Sequence, residues 1–215
     1  GGEISVIGSS GSLDYTVSLS NENNRFGADG PVTITDRDGA LIELQDTKFS
    51  GRFDNPKLST AFSYDFGGGV LANLNLSYGV DYYSRQEPET GTRASGETRT
   101  RESRTDEDGP FYELGGDIQF PFGPGSLKLI GLERFERENY SSMLIDRFSD
   151  GSPSRGSRFQ QINGEGERIG RFEYDWRLWK ADWQLSGEAA FNRLDRSEQG
   201  QIMGEHSMIG RGYGE

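Results

Sequence analysis

Few residues in this chain are of types that do covalent or metal chemistry. There is one histidine, His206, and no cysteine, so neither a Cys-based nucleophile nor a Cys-based metal site is available. No Gly-x-Ser-x-Gly elbow occurs, and His206 sits in a Gly-rich tail, where a solvated residue is expected. Asp106-Glu107-Asp108 lies among arginines without calcium-loop spacing, and Asp36-x-Asp38-Gly39 places its glycine too early for such a loop. Gly164-x-Gly166 is not followed by a phosphate-loop pattern. The expectation is therefore no catalytic residue, no metal, no cofactor and no enzymatic activity.

The residues that do stand in a chemical pattern are charged side chains at every second position. Arg171, Glu173, Asp175 and Arg177 alternate with Phe172, Tyr174, Trp176 and Leu178. After a Trp179-Lys180-Ala181-Asp182 turn, Gln184, Ser186, Glu188 and Asn192 alternate with Trp183, Leu185, Ala189 and Phe191. Period-two alternation means two antiparallel strands with one apolar and one charged face. Either the polar face meets water and the apolar face a core, or the apolar face meets lipid and the polar face lines a lumen.

The same pattern recurs along the chain. Leu13–Ser20, Leu58–Phe66, Val70–Tyr82 and Phe111–Phe122 all alternate, with Asp81 and Asp117 on polar sides. A weaker return strand spans Ser126 to about Tyr140. Tight turns centre near Ser10, Gly68, Pro124 and Lys180, at intervals of 58, 56 and 56 residues (10 to 68, 68 to 124, 124 to 180). Long polar segments lie between: Asn21–Lys57, Ser84–Pro110 and Ser141 to about Arg168. These read as loops, the first holding a local hairpin about Asp36-Arg37-Asp38-Gly39, the last a tip at Asp150-Gly151-Ser152-Pro153. Short turns at one end and long loops at the other are the asymmetry of a membrane barrel.

Composition agrees. Only 32% of the 215 residues are hydrophobic and no apolar run approaches 18, which excludes helical spans but not barrel strands. The net charge of −12 argues against nucleic acid as a partner. Aromatics fall near both strand ends: Phe66, Phe120, Phe122, Trp176, Trp179 and Trp183 by the short turns, Tyr78, Tyr82, Phe111, Tyr112 and Phe191 by the long loops. Two aromatic girdles are what a barrel crossing both interfaces would carry.

Lys128–Tyr140, Asp182–Asn192 and the segment Phe26-Gly27-Ala28-Asp29-Gly30-Pro31 resemble the barrel of TonB-dependent receptors. The resemblance implies an all-β, antiparallel transmembrane barrel, with residues 1–215 an interior stretch of a single barrel of about 22 strands. It also implies an outer-membrane location in a Gram-negative bacterium and uptake of a scarce ligand, such as a siderophore, cobalamin or a glycan. The partners it implies are outer-membrane lipid, the TonB complex and a plug domain, for which this stretch carries no sequence. Asp81, Asp117, Arg171, Glu173, Asp175, Arg177 and Glu188 would then face the lumen, as wall solvation, as plug contacts or as weak ligand-binding candidates. A complete small barrel and a soluble β-sandwich or carbohydrate-binding module remain the alternatives; the sandwich requires the apolar faces to pair.

Overall fold

Where a tight turn meets strict alternation, the chain folds back on itself, and it does so along its whole length. The computed structural model describes residues 1–204 with their side chains and the backbone of 209–212. The strands are β1 (Gly2–Ser10), β2 (Leu13–Thr35), β3 (Leu41–Gly67), β4 (Val70–Arg93), β5 (Thr98–Phe122), β6 (Gly125–Phe148), β7 (Arg155–Leu178), β8 (Ala181–Met203) and β9 (Ile209–Gly212). They form one antiparallel sheet in sequence order, β1 to β9, each strand pairing with its chain neighbours. Among the described residues β1 and β9 do not pair, so the sheet is open, and no second sheet lies against it.

All four expected tight turns are two-residue connections, at Gly11-Ser12, Gly68-Gly69, Gly123-Pro124 and Trp179-Lys180. Gly68 and Gly69 both take left-handed backbone (φ 63° and 81°), which matches the twist of the flanking strands as a primed hairpin turn requires. Trp179 takes the same region with φ 58°, an uncommon conformation for a large side chain.

The long polar loops are a correction. Asn21–Thr35 belongs to β2, Leu41–Lys57 to β3, Ser84–Arg93 to β4, Thr98–Pro110 to β5, and Ser141–Phe148 and Arg155–Arg168 to β6 and β7. Phe26–Pro31 is likewise strand, and the hairpin about Asp36–Gly39 is the tip of β2 and β3 rather than a separate element. The tail after Arg196 continues β8 as far as Met203. The β4–β5 register runs unbroken from Leu71↔Gln119 to Thr92↔Thr98. Backbone pairing needs no apolar side chains, so the ladder continues where the hydropathy alternation fades. A strand of 25 residues, as in β5, is about 80 Å long at ~3.3 Å per residue, more than twice a membrane crossing.

Register divides the side chains between two faces. On one lie Leu58, Phe62 and Tyr64 of β3, Leu74, Leu76 and Tyr78 of β4, Tyr112, Leu114 and Ile118 of β5, Leu127 and Leu129 of β6, Phe172 and Tyr174 of β7, and Trp183 and Leu185 of β8. No hydrophobic side chain among the described residues is buried; Leu114 is 41% exposed, Trp183 48% and Phe122 57%. None of the described residues covers this face. The apolar stretch is bounded: from Tyr112 to Phe122 is ten steps, and towards the far tips the same face becomes Asp108, Asp106 and Arg104.

Candidate functional site: an acidic sheet face

The opposite face carries the expected charged residues, and register shows why. Asp81 of β4, Asp117 of β5, Arg171, Glu173, Asp175 and Arg177 of β7, and Glu188 of β8 all fall on it. They do not converge on one site. Asp117 accepts a hydrogen bond from Asn73 Nδ2 at 3.1 Å and lies 3.5 Å from Lys128 Nζ. Arg171 bridges Glu173 at 2.5 Å and Glu188 at 3.7 Å. Arg177 meets Asp182 at 3.8 Å beside the tight turn, Asp175 lies opposite Gln184, and Asp81 accepts from Asn55 Nδ2.

The most buried charged residues are on this same face, on the strand extensions that read as loops. Arg99 and Glu43 are each only 9% exposed. The Arg99 guanidinium donates to Glu43 at 3.0 Å, to Asp146 at 3.4 Å and to Glu89. Arg101 grips Asp146 with two bonds, Nε to Oδ1 at 2.7 Å and Nη2 to Oδ2 at 2.9 Å. The Glu43 carboxylate occupies the space a Cβ at Gly91 would take, so a side chain there would push it away from Arg99. Arg101 holds the Asp146 carboxyl below the usual carboxylate range through its hydrogen bonds, against the opposing effect of burial. Burial pushes Glu43 up, but hydrogen bonds from Arg99 and Gln45 with the Arg99 charge outweigh it and leave a lowered value.

Sequence reading missed this cluster because its signal is not hydropathic. In Thr98-Arg99-Thr100-Arg101-Glu102 the odd positions lie on one face and the even on the other, yet both are polar. Alternation of Thr with Arg was the available clue.

A second group on this face is unbalanced. Glu107 is raised by burial first, then by the charges of Glu138, Asp81 and Glu136. Asp81 pairs with Gly109, and the Glu138 Cα lies 3.2 Å from where a Gly109 Cβ would stand, so no side chain comes between the two carboxylates. No group of the described residues has the arrangement to hold a metal ion.

Summed over the strands by register, this face bears 21 carboxylates and 11 Lys or Arg, the apolar-banded face 8 and 9. The chain's net charge of −12 is therefore almost entirely a property of one face.

Aromatic side chains mark both limits of the apolar band. By the tight turns Phe122, Tyr174, Trp176 and Trp183 form a continuous row, with ring centroids 6.0, 5.1 and 6.3 Å apart in succession. At the other limit Tyr112 stacks on Phe135 at 5.8 Å, with Tyr78, Tyr82 and Phe191 on the same face. Phe111 corrects the expectation: it points to the acidic face, where it covers Gly79. Phe135 takes its place in the outer row. His206 lies outside the described residues.

No protein family, curated protein or solved structure matches the chain. Its functional reading rests on its own residues.

Proposed function

We propose that this chain is part of the wall of an outer-membrane β-barrel, with the apolar band in lipid and the acidic face towards the lumen. One observation carries the reading. A single-layer sheet exposes a period-two apolar face, limited at both ends by aromatic rows, with no second layer among the described residues to cover it. In water such a surface would aggregate; in a bilayer it is the solvated side. At about 3.3 Å per residue and a tilt near 40°, the ten steps from Tyr112 to Phe122 rise ~25 Å, the height of an outer-membrane apolar band. The polar strand extensions then stand above the membrane. A β-sandwich is disfavoured, because the apolar faces do not pair.

Within that reading, the resemblance of Lys128–Tyr140 and Asp182–Asn192 to TonB-dependent receptors supports a transporter closed by further strands to about 22. The transporter would take up a scarce ligand through a plugged lumen, with no catalytic step. An interior this acidic concentrates cations and opposes anions, so neutral or cationic cargo suits it better than anionic cargo. The test is cell fractionation with the intact gene. The protein belongs in the outer membrane, and its deletion should abolish energy-dependent uptake of one scarce nutrient. Recovery from the soluble fraction would overturn the wall reading; outer-membrane recovery with no uptake defect would overturn only the receptor.

A further inference from the structure

On the apolar-banded face, a groove of about 630 Å³ opens at the outer aromatic row. Phe135, Tyr112 and Phe191 wall it, Gly164 and Gly166 form its floor, and Arg168 and Arg193 reach over it. Arg168 lies opposite Phe191, and Arg193 one pair further out opposite Gly166. Both guanidiniums are well exposed, 68% and 69%. Each is only partly used: Arg168 Nη2 donates to Glu133 at 3.0 Å, and Arg193 Nη2 lies 2.7 Å from Asp195. A guanidinium has five N–H donors, so most remain free on both. Arg137, which pairs opposite Gly164, has no carboxylate partner among the described residues. Towards the membrane, beyond the Glu133–Arg168 pair, stand Gly131 and Gly170, a side-chain-free pair where an added Cβ would meet no atom within 4 Å.

We propose that this groove binds a membrane lipid with a phosphate headgroup, an inference that rests on the wall reading above. The phosphate would sit among Arg168, Arg193 and Arg137, and an acyl chain would run down over Gly170 and Gly131 between the aromatic rings. On this face Arg168 and Arg193 balance Glu133 and Asp195 in the groove's lining, and Arg137, beside the groove opposite Gly164, supplies the net positive charge, at the height where headgroups lie. Planar forked donors suit phosphate oxygens. Exposed ion pairs such as Arg193–Asp195 are weak enough for a phosphate to replace the carboxylate.

The experiment places the protein expressed from the intact gene in bilayers holding phosphatidylglycerol and a glycosyl diacylglycerol with the same acyl chains. Lipid retained per chain is read by native mass spectrometry. Phosphatidylglycerol should be retained about tenfold over the uncharged lipid, and Arg168→Gln with Arg193→Gln should bring the ratio towards one. Because removing Arg168 leaves Glu133 without its cation, Gly170→Leu is the second variant. It fills the groove, keeps every charge, and should reduce retention of both lipids. Equal retention of the two lipids by the unaltered chain would overturn the inference. So would Gly170→Leu with unchanged retention, whether or not the double variant folds. If the protein expressed from the intact gene does not enter bilayers at all, the wall reading is overturned and this inference with it.

Discussion

Arg99 shows what a single residue does in a sheet without a core. Its guanidinium joins Glu43 of β3, Glu89 of β4 and Asp146 of β6 across four strands. Arg99→Met should leave Glu43 and Glu89 without that cation, while Asp146 keeps Arg101, and cost about 3 kcal/mol, as breaking a buried pair does. Amide exchange should accelerate in the tips of β3–β6 and not beside the tight turns. The pH dependence has two opposite parts. Asp146 and Glu43 have lowered folded values, so the stability they add is full above the unfolded carboxyl value of ~4 and is lost as pH falls further. Glu107 is raised, so its protonated form favours the fold, and that contribution is lost as pH rises through its folded value. Glu107→Gln should therefore raise the unfolding midpoint at neutral pH, with a smaller gain below pH 4. An unchanged or lowered midpoint at pH 7 would show that its charged neighbours do not bear on stability.

The elements were legible where one face is apolar and illegible where both are wet. Leu74, Leu76, Tyr78 and Tyr82 announce β4 against Asn73, Asn75, Ser77 and Asp81. Past Tyr83 the same strand continues as Ser-Arg-Gln-Glu-Pro-Glu-Thr, where alternation has no contrast to show and only the ladder with β5 defines it. The four tight turns were readable because their chemistry is local. The faces of the seven charged candidates were readable too, since parity alone fixes them. The Arg99 cluster was not, because it needs the register of four strands at once. Two outcomes follow at this scale. Backbone amides of Ser84–Arg93 and Thr98–Pro110 should exchange slowly, as ladder members; exchange at loop rates would show that the strands end near the aromatic row. Gly69→Val forces a branched side chain into left-handed backbone against Pro121, whose Cγ lies 3.3 Å from the new Cβ. It should cost about 1–2 kcal/mol of unfolding free energy.

For the whole molecule, the central claim is that one face of the sheet meets lipid and the other water. The chain lacks cysteine, so single thiols can be placed at will. The most direct measurement is a spin-label scan of β4 and β5 in lipid bilayers. Labels would stand at each position from Ala72 to Thr92 and from Thr98 to Ile118, with oxygen as the lipid-phase relaxant and a nickel chelate as the aqueous one. The account predicts period-two accessibility. Positions 72, 74, 76, 78, 112, 114 and 118 should be reached by oxygen, and 73, 75, 77, 113 and 117 should not. Beyond Tyr82 and Pro110 the alternation of oxygen access should vanish, with the apolar-banded face reached by the nickel chelate. Nickel access to Leu74, Leu76 and Leu114 equal to that of Asn75 and Glu113 would contradict the account.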